Sequence, residues 1–332
     1  MIFNKFFKNN DYELFFSTAT GVEVLRGTTG KEDPFSLYLP SLIDVGIMGH
    51  CKNKCKFCYQ GHINEPNMSF DNFKIIIDQT KHHTNQVALG GRGDPNQHEE
   101  FEKIVTYAKD NGVTPNYTTS GIGLTDKHIE ISKVCGAVAI SNYCKEYTYN
   151  AIEKLLNAGV KTNIHTIFSK ESYNMAVQIL SGENPWQEGE SSLVDIDKLN
   201  AVIFLLFKPA GAGVNLDWVP EPHQLKKFSE VVFKPQSKFK IGMDSCLVNH
   251  VLKYVTPNKL QQMSIDSCEA ARMSAYITPD MRLMPCSFAD KNLWSVPITN
   301  DHDIEYIWNN TSPFQLFRES LNNNRYSCPL GL

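Results

Sequence analysis

The chain has 332 residues, of which 42 % are hydrophobic and 20 % charged, with a formal net charge of −4 and nine cysteines. That bulk can bury a full core and still form a smaller second unit, and the acidic balance gives no excess positive field for a phosphate backbone, which disfavours nucleic acid as a partner. No stretch approaches the roughly 18–20 uninterrupted apolar residues of a membrane span, and the opening MIFNKFFKNNDYELFF lacks a signal-peptide core with a small-residue cleavage site. No membrane association and a cytoplasmic location are therefore expected. Nine cysteines are too sparse for a disulfide-stapled scaffold, and an odd number cannot all pair within the chain, so metal binding is their leading explanation.

In chain order, residues 12–26 (YELFFSTATGVEVLR) predict two strands around a turn at Gly21. The apolar run LIDVGIM at 42–48 predicts a buried strand. SFDNFKIIIDQ after it predicts a helix with Ser69 as N-cap and Phe70, Phe73 and Ile77 on one face. The same unit then recurs in type though not in sequence: QVALGG with a helix over 99–111, TPNYTTSG with 125–133, AVAISN with 147–158, TNIHTIF with 172–180, and AVIFLLF with 223–232.

Six strand–helix units with near-continuous apolar strands predict a parallel sheet covered by crossover helices, as in a partial (β/α)6 TIM-like barrel. Ligands sit at the C-terminal strand ends of such folds, where Cys51, Gly91, Ser120, Asn142 and Pro209 fall. The polar stretch 182–197 is long for a helix–strand connection and is expected to be a lid or an insertion. After about Lys240 the alternation stops. Three regions follow: an N-terminal hairpin extension over 1–40, the barrel over 41–240 and a small C-terminal domain over 241–332.

GHCKNKCKFCYQG places Cys51, Cys55 and Cys58 in a C-x3-C-x2-C pattern directly after the first barrel strand. Three thiolates on one short loop can ligate three irons of a cubane and leave the fourth open, whereas a structural zinc site wants a closed shell of four, for which His50 or His62 is available. The triplet, the aromatic Phe57 before its last cysteine, and its place after strand one of a six-unit α/β chain resemble the radical S-adenosylmethionine (SAM) superfamily. The resemblance implies a catalytic [4Fe–4S] cluster whose open iron is chelated by SAM. It also implies reductive cleavage of SAM to a 5′-deoxyadenosyl radical that abstracts a hydrogen atom from substrate.

Further elements resemble that family's SAM contacts. LGGRGDP sits where the family has a Gly-Gly-Glu-Pro-like turn, so Gly90 and Gly91 are expected to let the backbone approach the methionine end of SAM. Arg92 stands in place of the usual Glu, with Asp94 as a possible substitute. Ser120 with Gly121 resembles the turn after strand three, Ser141 and Asn142 the ribose-facing positions, and His165 an inward residue of strand five; Phe57 or its neighbours are expected near adenine.

Beyond the barrel, Cys268 and Cys286 bracket two strands, MSAYIT and RLMP, joined at Pro279–Asp280, a good turn pair. This resembles the cysteine hairpin of SPASM/twitch auxiliary-cluster domains, in which Cys246 and Cys328 complete a four-thiolate shell for a second, auxiliary [4Fe–4S] cluster. Met281 replaces the glycine usual in that turn, which is expected to alter the turn type. Buried packing cysteines and a four-thiolate zinc site are the alternatives.

Members with such domains are often maturases of ribosomal peptides or proteins, so a peptide substrate undergoing oxidation, cross-linking or epimerisation is expected, with flavodoxin or ferredoxin as electron donor. The roughly 40 residues before the barrel are few for a leader-binding domain. Oxidation of a small alcohol or sugar is the enzymatic alternative, and a non-catalytic iron–sulfur or zinc protein the alternative from another class. Cys144, at the mouth end of strand four, is a candidate hydrogen-atom donor for epimerisation, and Cys135, before that strand, is its control at the far end.

Overall fold

The computed structural model describes residues 2–8, 12–27, 35–36, 38–143, 145–188, 191–262, 265, 268–323 and 328–331. Three strands, β1 (Lys5–Lys8), β2 (Tyr12–Phe16) and β3 (Glu23–Gly27), form a small antiparallel sheet, with the predicted turn at Gly21 in left-handed backbone (φ 68°). This sheet is tied to the N-terminal ends of barrel strands. Glu23 accepts hydrogen bonds from Ser41 (2.6 Å) and Asn85 (2.8 Å), and Lys161 donates to the Thr20 carbonyl (2.6 Å).

The six predicted units follow: β4 (Leu42–Met48), α1 (Phe70–Thr80), β5 (Gln86–Gly91), α2 (Phe101–Asp110), β6 (Thr114–Thr119), α3 (Asp126–Ser132), β7 (Val138–Ser141), α4 (Glu146–Asn157), β8 (Thr162–Phe168) and α5 (Tyr173–Leu180), then β11 (Ala201–Leu206) and α6 (Pro222–Val232). Ser69 caps α1 through its hydroxyl, and that helix buries Phe73, Ile76 and Ile77. On α6, Phe228 packs between Phe168 of β8 and Phe204 of β11, at 4.3 and 5.2 Å between ring centroids. Between α5 and β11 the long polar stretch carries two short strands, β9 (Gln187–Glu188) and β10 (Ser191–Ser192). It is anchored by Trp186 and Val194, 1 % and 2 % exposed, so it is a packed insertion.

The alternation does not end at Lys240. Strand β12 (Lys240–Met243) adds in parallel to β11, a short glycine-containing strand that composition alone does not announce. Helices α7 (Ser245–Val251) and α8 (Lys259–Gln262) come next. Then the predicted hairpin, β13 (Ser274–Ile277) and β14 (Arg282–Met284), joins the opposite edge of the same sheet, where β13 pairs in parallel with β4, Tyr276 opposite Asp44. Helix α9 (Lys291–Trp294), strand β15 (Val296–Pro297) and helices α10 (Ile304–Asn310) and α11 (Ser312–Asn323) complete the chain. The sheet has ten strands in the order β12-β11-β8-β7-β6-β5-β4-β13-β14-β15.

Met281 in the hairpin turn has φ 59°, the left-handed conformation that glycine favours. The turn therefore keeps its glycine-like backbone despite the side chain. Thr278 holds it, accepting from the Met281 and Arg282 backbone amides (3.0 and 3.1 Å) and donating to Asp280 (2.6 Å).

The β4–β13 seam is close. A Cβ on Gly46 would lie 2.5 Å from the Tyr276 hydroxyl and 3.2 Å from Pro279. Gly46→Ala is expected to lower stability by about 1–3 kcal/mol through overpacking, read as a lower midpoint in urea unfolding; an unchanged midpoint would contradict the seam.

Candidate active site

The C-terminal strand ends meet around the cysteine loop. The β4–β5 ladder shifts register between Gly46 and Met48, a bulge that ends the pairing just before the loop. Lys54 has φ 44°, Cys58 donates its amide to the Cys55 carbonyl (3.1 Å), and Asn53 donates its amide to the Cys51 sulfur (3.3 Å). All three thiols are half-buried. Burial pushes the Cys55 and Cys58 thiols up, and the neighbouring cysteines push in the same direction, so the three sulfurs act on one another.

Glycines clamp this loop from two sides. Gly91, at φ 113°, and Gly93 approach the Met48 and His50 carbonyl oxygens so closely that a Cβ would lie 2.3 Å from each. From the loop after β11, Gly211 lies equally tight on the Tyr59 carbonyl, and Ala212 donates its amide to the Cys58 carbonyl (2.9 Å). Sequence reasoning picked out Pro209 in this loop but not the glycines that make the contact.

Gly90 differs from Gly91: a Cβ there would meet nothing within 4 Å. Its backbone borders open space. Asp94 ties this turn to the next one, accepting from the Ser120 amide (2.6 Å) and hydroxyl (2.5 Å), while Asn53 of the cysteine loop donates to the same hydroxyl (3.0 Å). A cavity of about 60 Å³ lies between Cys51, Gly93, Asp94 and Gln97.

Arg92 turns away from the glycine turn. Its guanidinium reaches Glu65 (2.5 Å) and the Gln60 carbonyl (3.3 Å), and Lys291 bridges Glu65 (3.6 Å) to Asp280 (2.9 Å). Arg92 thus starts an ion chain that ends on the β13–β14 turn.

Phe57 sits in an aromatic group with Tyr143 and Trp218, at 5.6 and 5.7 Å between ring centroids. Ser141 pairs in register with His165. The Asn142 amide faces Thr166, Met175 and Trp186 at 3.2–3.4 Å, which fixes the β7 end against β8 and α5. His165 is held down to about 4 by burial against a weaker pull from Asp244, so it is neutral near pH 7. Cys144 lies outside the described residues. Cys135 sits at the opposite end of β7, its thiol pushed to about 12 by burial.

Cys246 of α7, Cys268 of the segment before β13, Cys286 of the turn after β14 and Cys328 of the C-terminal segment lie near enough to act on one another. Burial raises the thiols of Cys246, Cys268 and Cys286, to about 12 for the first and last, and each feels its cysteine neighbours. Asp44, Tyr59, Tyr276 and Lys208 escaped the sequence reading. Alternation along LIDVGIM already places Asp44 on the inward face, whereas the burial of Lys208 depends on a partner 36 residues away.

Among the described residues, no three His, Cys, Asp or Glu side chains converge on a single metal ion. A cubane has no such requirement, since each thiolate takes a separate iron. One proposed fourth zinc ligand, His62, has its ring nitrogen 3.0 Å from the Cys55 carbonyl oxygen. The three-thiol loop beside the open Gly90 backbone fits a cluster with one free iron, and the four mutually coupled thiols fit a fully cysteine-ligated one.

No family profile matches the sequence. The chain is similar in fold to Streptococcus suis SuiB bound to S-adenosylmethionine, with a TM-score of 0.67 and 14 % identity over 85 % of this chain and 68 % of SuiB. SuiB bound to the precursor peptide SuiA gives 0.64 and 14 % over 84 % and 66 %. The enzyme anSMEcpe with bound AdoMet gives 0.61 and 12 % over 84 % and 80 %. The architecture is therefore the partial α/β barrel that these neighbours share. Among the described residues no helix is long and apolar enough to cross a membrane.

Asp44 supplies a test of the barrel interior. Its carboxyl lies among Tyr59 and Tyr276, and burial raises it from the ordinary 3.8 to about 6. A carboxyl raised in the fold destabilises it when ionised, so stability is full below pH 4 and is lost as pH rises through 6. Asp44→Asn is expected to match the parent near pH 4 and exceed it above pH 7 by on the order of 1–3 kcal/mol, measured by urea unfolding across pH; equal stability at pH 8 would contradict the placement.

Proposed function

We propose that the protein is a radical SAM enzyme acting on a peptide or protein substrate. The observation that carries this reading is the three-thiol loop of Cys51, Cys55 and Cys58, clamped at the barrel mouth beside a glycine turn whose Gly90 backbone faces open space. Cys51, Cys55 and Cys58 hold the catalytic [4Fe–4S] cluster, which with SAM supplies hydrogen-atom abstraction from an unactivated C–H bond.

The chain's own residues bind and orient. Gly90 and Gly91 admit the amino-acid end of SAM, with Asp94 and Ser120 fixing the turn they belong to. Phe57, with Tyr143 and Trp218, offers an aromatic wall for adenine, while Ser141, Asn142 and neutral His165 lie toward the ribose and the barrel interior. Residues 41–240 carry this chemistry. Residues 241–332 hold a second [4Fe–4S] cluster on Cys246, Cys268, Cys286 and Cys328.

The peptide substrate is supported by two fold neighbours, SuiB bound to its precursor peptide and anSMEcpe bound to a Cp18Cys peptide. A flavodoxin or ferredoxin is the electron donor of this reading, and the reducing cytoplasm, which keeps thiols free, its location.

Anaerobic reconstitution is expected to load about eight irons, four per cubane, and dithionite with SAM to release 5′-deoxyadenosine. Replacing Cys51, Cys55 and Cys58 with alanine should leave about four irons and no 5′-deoxyadenosine; cleavage that persists would sink the assignment. Gly90→Val should melt like the parent, since its side chain enters open space, yet lose SAM binding in calorimetry at least tenfold. Parent-like SAM binding would remove Gly90 from the site.

A further inference from the structure

Two residues after β11 the chain carries a lysine with almost no water around it. Lys208, whose side chain is 3 % exposed, follows β11 and donates to the Asp244 carboxylate at 2.7 Å and to the Leu206 carbonyl at 3.2 Å. Its ammonium lies 4.3 Å from the ring centroid of Phe288, two residues beyond Cys286. Asp244 lies two residues before Cys246 and caps α7 by accepting the Leu247 amide at 2.8 Å. The lysine is thus wedged between the elements that carry two of the four auxiliary thiols. Burial opposes its charge, but the ion pair with Asp244 outweighs it and keeps the ammonium protonated above the ordinary lysine range.

A buried ion pair is expensive to desolvate, and an apolar residue of the same length would fill this space as well. The four-cysteine reading gives the cation a role. Four thiolates on a cubane leave a net negative group in a low-dielectric pocket, and a nearby positive charge favours its more negative, reduced state. We propose that Lys208 is a positioning charge that raises the reduction potential of the four-thiolate site, with Asp244 as the counter-charge that limits the effect. This rests on the auxiliary-cluster reading above. The same residue begins the loop whose Gly211 and Ala212 pack on Cys58 and Tyr59, so one stretch of chain meets the first cysteine loop and the neighbours of Cys246 and Cys286.

The test uses the full chain with Cys51, Cys55 and Cys58 replaced by alanine, reconstituted with iron and sulfide, so that only the four-thiolate site is read. Its potential is measured by mediated titration followed by electron paramagnetic resonance. Lys208→Met is expected to move the potential to more negative values. Asp244→Asn, which preserves the helix cap, is expected to move it to more positive ones, and Lys208→Arg to stay near the parent. The opposite signs separate a charge effect from general loosening of the site, which would shift both variants alike. Shifts in the same direction, or none at equal iron content and melting temperature, overturn the role of Lys208. A parent with no bound iron overturns the four-thiolate reading, and this inference with it.

Discussion

Close backbone contact between loops is the constraint on which the site depends. An eight-residue loop carrying three thiols has few hydrogen bonds of its own, since only Cys55 to Cys58 and Cys58 to Gly61 close turns within it and its tail. Its shape is imposed from outside. Gly91 and Gly93 press on the carbonyls leading into it and Gly211 on the carbonyls leading out, at distances no Cβ could share. The polar bridge from Asp94 through Ser120 to Asn53 then fixes the loop's middle against β6. The clamps stand at the C-terminal ends of β5, β6 and β11, so these strands must be assembled around the mouth before the thiols are placed.

The same seam joins the barrel to the cysteine hairpin. By pairing with β4, β13 removes the exposed edge that a partial barrel would otherwise present. Two further links cross it. Tyr276 lies over Gly46, and the chain Arg92–Glu65–Lys291–Asp280 runs from the glycine turn to the hairpin turn. The outer pair, Lys291 with Asp280, is open to solvent and adds little stability. The value of these ion pairs is directional, because they fix which face of the hairpin meets the loop that follows Cys58.

Much of this is legible in the sequence, for definite reasons. Strands β4, β5 and β8 can be read to the residue because their alternating buried and half-buried positions form short runs flanked by turn and cap residues. The caps at Ser69 and Thr125 mark helix starts through local hydrogen bonds. What escapes is tertiary. Strand β12 is four residues with a central glycine, recognisable only through pairing with β11. Lys208 reads as an ordinary loop lysine until Asp244 arrives from a later strand end. Arg92 reads as a departure from a motif, and only Glu65 explains where its charge goes. Met281 reads as a changed turn, yet hydrogen bonds to Thr278 hold it in the glycine conformation.

The two cysteine sets also differ in what assembles them. The first spans eight residues, so its thiols are brought near one another by local chain geometry and need only be clamped. The second spans residues 246 to 328, and its four thiols come from separate elements, so gathering them requires closing a loop of roughly 80 residues, at an entropic cost that grows with the logarithm of its length. Buried thiols raised to about 12 at Cys246 and Cys286 resist ionisation unless a cation joins them. A metal that binds their thiolates must displace those protons and, in doing so, adds its binding energy to the fold itself. On the proposed two-cluster reading, the C-terminal region is where metal and folding would be most tightly coupled, and the barrel loop where they would be least.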